Sequence, residues 1–309
     1  MDVDLYFIKQ QFTLGAYPAL LSLQLPDPSS SDYSPYSPLQ ENVALKAAAA
    51  LAKGEQGLET LRDLCVEIEA DQDSSDWEKQ TVQVLAATAF VRAGEIEEAL
   101  ETLRTEGIPG DEEAALLTQV YLSLARPALA QKVLAPALKA NPDALVLQLA
   151  EAAISLVTGS QGTSGEPYAP ALSFYNEQVA NPSISSPALL VGRAVVRILR
   201  GELSSAQSDL EEAESILSRA KCDQASSDML AAMIVATGLS DAKKGEADQL
   251  WSRFLKQHPS HPLVADIAAK DLLFDQCASK IQVPPRACRC RLESIGISPS
   301  CVARSLLPV

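Results

Sequence analysis

Residues 187–217, PALLVGRAVVRILRGELSSAQSDLEEAESIL, decide the fold. Leu190, Val191, Ala194, Val195 and Ile198 recur at the spacing of one apolar helix face. Arg193, Arg197 and Arg200 fall together on the opposite side. Gly201 then breaks the helix at a point where the backbone needs a left-handed residue. A second apolar row begins at Leu203 and runs through Ala206, Leu210, Ala213 and Leu217. Ala194 and Ala206 are small enough to let the two helices approach closely. A helix pair of this kind cannot bury both of its faces alone, so the stretch predicts stacking on further copies of itself.

Working outward, the same scheme recurs. Residues 78–106 place Ala87, Phe90, Gly94, Ala99 and Leu103 in register with it, and residues 111–142 place Tyr121, Ala130, Leu134, Ala137 and Pro142. Aligned, the units show a small residue at position 8, an aromatic at 11, alanine at 20 and 27, a large apolar residue at 24 and proline at 32. That is the 34-residue tetratricopeptide pattern. No unit is complete: Thr118 occupies the small position in one, and Arg197 the aromatic position in another. Further helix pairs are predicted over 41–68, with a turn at 53–57, over 145–179, and over 226–257, where Trp251 and Phe254 face inward. Near the N-terminus a helix from Asp4, a turn at Gly15 and a second helix started by Pro18 are expected. The fold class is all-α, a tetratricopeptide-like helical-repeat superhelix (an α-α solenoid) over residues 1–281. Residues 27–38, DPSSSDYSPYSP, read as an exposed Ser/Pro-rich loop, in which Ser34 and Ser37 each precede a proline.

Composition agrees. Of 309 residues, 47% are hydrophobic but only 5% aromatic, as expected where helices pack through small residues. A formal net charge of −15 argues against nucleic acid and against a basic membrane-binding surface. The start, MDVDLYFIKQQF, lacks the basic and apolar regions of a signal peptide, and no apolar run reaches the ~18 residues of a spanning helix. These features predict a soluble cytosolic or nuclear protein. Cys65, Cys222 and Cys277 are isolated and read as reduced, buried side chains. Cys288, Cys290 and Cys301 do not match the paired spacing of structural zinc sites.

No stretch carries a catalytic constellation. His258 and His261 lie in an HPSHP turn, where they cap a helix or sit exposed. The Gly162–Gly165 segment lacks the lysine of a phosphate loop. The acidic runs 95–98, 111–113 and 211–214 read as solvated faces. No enzyme, cofactor or metal is expected. The inner face of a tetratricopeptide array is built mainly from first-helix positions 2, 5, 9 and 12. Here these include Val84, Val91, Leu122, Leu149, Leu156, Val191, Val195 and Ile198, with Ala115 and Ala153. The lining is apolar, unlike a groove for an acidic tail, and predicts either a protein partner or inter-repeat core.

The segments DLYFIKQQFTLGAYPALL, LVLQLAEAAISLVTGSQG with ALSFYNEQVANP, ALLVGRAVVRILRGELSSAQSDLEEA and LWSRFLKQHPSHPLVADIAAKDLLFDQ resemble, in order and spacing over residues 4–281, the epsilon-subunit family of coatomer. The resemblance implies a helical array curved around an element in the C-terminal region of the coatomer alpha subunit and, through it, contact with the other coat subunits. It also implies a non-catalytic role in Golgi-to-endoplasmic-reticulum and intra-Golgi transport, cytoplasmic and only peripheral on membranes. A tetratricopeptide adaptor in a chaperone or degradation complex is the alternative. The chain departs from the family pattern in a longer Ser/Pro loop and in the tail 282–309, which carries four arginines and one glutamate in an otherwise acidic chain. The tail is expected to be disordered and dispensable: Pro284 and Pro285 end the preceding helix, and few apolar residues follow.

Overall fold

The structure, a computed structural model, describes residues 2–14, 43–71, 76–103, 109–159, 165–181, 186–219, 226–240 and 244–280. The Ser/Pro segment 27–38, the second N-terminal helix, Cys222 and the tail 282–309 lie outside the described residues. Those described form fourteen α-helices and no strand. In chain order they are α1 (Asp2–Thr13), α2 (Val43–Ala52), α3 (Leu58–Ala70), α4 (Asp76–Ala93), α5 (Ile96–Thr102), α6 (Asp111–Ser123) and α7 (Pro127–Ala140). There follow α8 (Leu145–Thr158), α9 (Ala169–Ala180), α10 (Pro187–Leu199), α11 (Leu203–Arg219), α12 (Ser227–Gly238), α13 (Lys244–Gln257) and α14 (Pro262–Lys280). The fold is an all-α helical repeat, and it divides into two compact units, one holding α1–α8 and the other α9–α14.

The repeat register is visible in the packing. Position 8 is fully buried in all three units (Ala87, Thr118, Ala194), as is position 20 (Ala99, Ala130, Ala206). Leu103, Leu134 and Leu210 at position 24 are at most 4% exposed. Position 15 is left-handed in every case: Gly94 has φ 84°, Gly201 φ 80°, and Ala125 adopts φ 57° despite its Cβ. Each of these turns closes with the same bond, from the amide of the residue just before the next helix (position 16) back to the position-11 carbonyl. The pairs are Glu95 N–H to Phe90 O (2.9 Å), Arg126 N–H to Tyr121 O (2.8 Å) and Glu202 N–H to Arg197 O (2.8 Å). This six-to-one bond satisfies a carbonyl that the helix end would otherwise strand.

In the first unit, Leu61, Leu64 and Ile68 of α3 pack with Val82, Ala86 and Phe90 of α4 and with Ala99 of α5. Glu113 departs from the solvated face expected for its acidic run. It is 2% exposed and accepts a hydrogen bond from the Gly110 amide at 3.1 Å, capping the start of α6. At the same end of the α6–α7 pair, the Asn141 side-chain amide donates to Asp111 at 2.9 Å.

In the second unit, Ser186 caps α10 by accepting from the Leu189 amide at 3.3 Å. The arginines placed opposite the apolar face of α10 turn out to face α11. Arg193 donates to Asp209 at 2.7 and 3.2 Å, and Arg197 donates to it at 2.6 Å and to the Ser205 carbonyl at 3.2 Å. Arg197 thus fills the usual aromatic position by reaching across the helix pair. Arg200 braces the turn, bonding Glu202 at 2.7 Å, Glu166 at 3.0 Å and the Pro167 carbonyl at 3.3 Å. A glycine is required at 192, because a Cβ there would lie 2.4 Å from the ring of Tyr175. That close approach seals Tyr175, whose phenol is pushed up to about 12 by burial.

The HPSHP turn anchors α14. His261 accepts the Leu263 amide on Nδ1 at 3.1 Å, and its Nε2 lies 3.4 Å from Asp228. Both histidine rings pack on Phe254, which is fully buried. Cysteine placement differs from expectation: Cys65 is half-buried and Cys277 is exposed on α14.

Candidate partner-binding surface

The eight first-helix residues singled out by the repeat register separate into two groups. Leu122 (0% exposed), Leu156 (6%), Val191 (7%), Val195 (4%) and Ile198 (5%) are buried within the chain. Ala115 and Ala153 are buried with them. Val84 and Val91 on α4 and Leu149 on α8 are half-buried. The reason is packing: α10 has neighbours on α9, α11 and α12, so its apolar stripe is consumed inside the second unit. The accessible part of the stripe is therefore in the first unit, where Val84 and Val91 lean on the core formed by α3, α4 and α5 while keeping part of their surface open.

Next to that core sits a charged knot. Arg62 of α3 donates to Glu98 at 2.7 and 3.0 Å, to Glu95 at 2.7 Å and to Glu59 at 3.1 Å, and its guanidinium stands 5.5 Å from the centre of the Phe90 ring. The hydrogen bonds to Glu98 and Glu59 hold Arg62 above its ordinary pKa, and the reciprocal bond holds Glu98 below its own. Glu95 and Glu98 belong to a run read as a solvated face, and they instead pin α5 to α3. One turn from Arg62, burial pushes the Cys65 thiol up to about 11, with the Glu69 and Glu98 carboxylates adding to the shift. The thiol is thus protonated and inert at neutral pH.

Among the described residues no group of three His, Cys, Asp or Glu side chains is arranged to hold a metal ion, and no helix is long and apolar enough to cross a membrane. Exposed large apolar side chains are instead the notable surface feature. Trp77 at the start of α4 is 56% exposed, and Leu272, Leu273 and Phe274 on α14 are each more than half exposed. Sequence reasoning passed over the last three, although three consecutive large apolar residues in a 19-residue helix cannot share one buried face.

Residues 34–282 match the model of the family described as "Coatomer epsilon subunit". The chain belongs to the coatomer epsilon subunit family. With that membership goes a role as a coatomer subunit in vesicle-mediated transport. The family's curated members include the Caenorhabditis elegans protein named "Coatomer subunit epsilon", 27% identical over 303 residues that cover 90% of this chain and 99% of that one. The Schizosaccharomyces pombe protein named "Probable coatomer subunit epsilon" is 26% identical, over 81% of this chain and 86% of its own. The coatomer epsilon match begins beyond α1 and takes in all of α2–α14, so it embraces both the open valines of α4 and the buried stripe of α10.

Proposed function

We propose that this coatomer epsilon chain is a non-catalytic structural subunit that binds the coatomer alpha subunit through the first-helix face of its repeats. Through that subunit it joins the other coat subunits, on the cytoplasmic side of Golgi membranes and coated vesicles, in Golgi-to-endoplasmic-reticulum and intra-Golgi transport. The supporting observation is the family match spanning both repeat units, on a fold whose described residues offer helix faces rather than a reaction centre. Val84, Val91 and Leu149 are the residues a partner reaches directly. Leu122 and Leu156 are buried within the same unit, and Val191, Val195 and Ile198 within the other. Because Val84, Val91 and Leu149 are already half-buried, covering the rest of each contributes less than the ~1.5–3 kcal/mol of burying a fully exposed side chain.

The test is co-purification of the alpha subunit with tagged full-length chain. Val84→Glu with Val91→Glu places two charges on half-buried positions and is expected to abolish recovery while leaving helix content unchanged. Wild-type recovery by this variant would remove the α4 face from the interface. Recovery of chaperones, and no coat subunit, by the unmutated chain would favour the adaptor alternative. The partner-binding array is assigned to residues 1–281. Truncation after Ile281 is therefore expected to preserve both melting temperature and alpha-subunit recovery, whereas stoichiometric zinc in the intact chain, or a fall of several degrees on truncation, would put the tail in the fold.

A further inference from the structure

Among the described residues, α10, α12 and α14 of the second unit each start from a side-chain cap, and one cap differs in kind. Ser186 caps α10, and Ser226 caps α12 by accepting the Met229 amide at 3.1 Å. His261 caps α14, its Nδ1 accepting the Leu263 amide at 3.1 Å. Serine is a customary cap and stays uncharged. Imidazole is the ordinary side chain that changes charge between about pH 5 and pH 8.

Little else holds α14. Whereas α10 buries side chains along its whole length, Leu263 is the one buried residue among those described on α14, and every residue from Leu272 to Cys277 is exposed. The helix is attached through its first turn, which is the turn that His261 caps.

The hydrogen bonds fix the form of the ring. A backbone amide can only donate, so Nδ1 is the unprotonated nitrogen, and the proton of the neutral ring lies on Nε2, 3.4 Å from Asp228 on α12. A second proton must go to Nδ1. It would remove the acceptor, turn one N–H toward another, and set a positive charge at the positive end of the α14 dipole. The surroundings offset little of this. Asp228 already faces Nε2, and its carboxylate, more than a third exposed, offers a screened attraction. His258, stacked on the same Phe254 ring as His261, has an enclosed Nε2 with no hydrogen-bond partner, so a charge on that ring would be uncompensated too. From α13 the ring meets uncharged Phe254, and on α14 Asp266 and Lys270 pair with each other at 2.8 Å.

We propose that neutral His261 latches α14 to the second unit and that protonation of this imidazole releases the helix. The proton comes from solvent and adds to Nδ1, the Leu263 amide loses its acceptor, and the first turn of α14 opens. The exposed Leu272, Leu273 and Phe274 move with it. Attachment of this helix thereby depends on acidity, while the serine-capped helices stay in place. The latch lies within the fold and does not rest on the alpha-subunit reading.

The test is hydrogen–deuterium exchange, followed by mass spectrometry, on the full-length chain at about pH 7.5 and about pH 5.5, with labelling times scaled to equal intrinsic exchange. Protection over residues 263–270 is expected to fall at least about fivefold on acidification, the population change of losing one cap, while residues 189–198 of α10 keep theirs. His261→Asn puts a carbonyl oxygen that does not titrate in the place of Nδ1, so this variant should hold its protection at both pH values. Unchanged or increased protection of 263–270 in the wild-type chain at the lower pH would overturn the proposal whatever the variant does. So would an equal loss in the Asn variant, or a loss in α10 as large as that in α14, since another group or the whole unit would then be responding to acid.

Discussion

Two arginine clusters hold helix pairs together in this chain, and they are built in opposite ways. In the first unit one arginine, Arg62, serves three carboxylates at the edge of the core, with about a third of its side chain exposed. In the second, two arginines serve one carboxylate, Asp209, whose side chain is 4% exposed. The contrast teaches where charge is structural. A knot bathed in water is a modest addition to a pair already held by Leu61, Ile68 and Phe90. A carboxylate enclosed between α10 and α11 is a commitment, because each member costs desolvation that only its partners offset.

The largest expected effect is therefore at Asp209. Asp209→Ala strands two half-buried guanidinium groups and should cost about 3–5 kcal/mol in urea unfolding. A loss below about 1 kcal/mol would erase the distinction between the clusters. Next comes the apolar side of the same contact. Ala206→Leu forces a larger side chain into a fully buried site and should cost ~1–3 kcal/mol, and a tolerated leucine would mean that the ion triad alone sets the spacing of α10 and α11.

The turns serve as an internal control, since they share one geometry across units. Gly94→Ala and Gly201→Ala should each cost ~1–2 kcal/mol, and unequal losses would show that the surrounding charge, Arg200 above all, alters the turn. The smallest effect belongs to Arg62. Arg62→Met keeps the contact with Phe90 and should leave the melting temperature unresolved from wild type at neutral pH in ~0.15 M salt. Its signature is acid dependence. Folding lowers the Glu98 pKa, so its contribution is present above the usual glutamate range, near about 4.3, and is lost as pH falls through it. The Met variant should show a shallower loss of stability between about pH 5 and pH 3, and parallel curves would remove the knot as its cause.

The repeat was legible because its positions are fixed by steric need. Where two helices cross, only a small side chain fits, and Ala87, Ala99, Ala194 and Ala206 announce that without reference to the rest of the chain. The arginines of α10 were legible as one side of the helix but their role was not. A helical wheel places them together opposite the apolar face, and Asp209 is visible as the partner of Arg193 and Arg197 only once α11 is folded back. The candidate surface was legible only as a set of equivalent positions. Val84 and Val191 occupy the same repeat position, yet one is half-open and the other closed, because closure depends on which helices stack above, and a repeat pattern is silent on that. Glu113 was missed as a cap because its role needs the Gly110 amide, which the acidic run disguises.

Leu272, Leu273 and Phe274 follow one another on α14, and at about 100° per residue they sweep through roughly 200° of the helix circumference. A single wall on one side can shelter one or two of them but not all three. Handled by itself, the chain carries an exposed apolar arc here, which is expected to lower the concentration at which it stays monodisperse. Salts that strengthen apolar association will lower that limit further. Shelter for the whole arc requires neighbours on two sides of the helix at once, so wetting behaviour, measured by light scattering across a salt series, reads directly how completely this end of the chain has been enclosed.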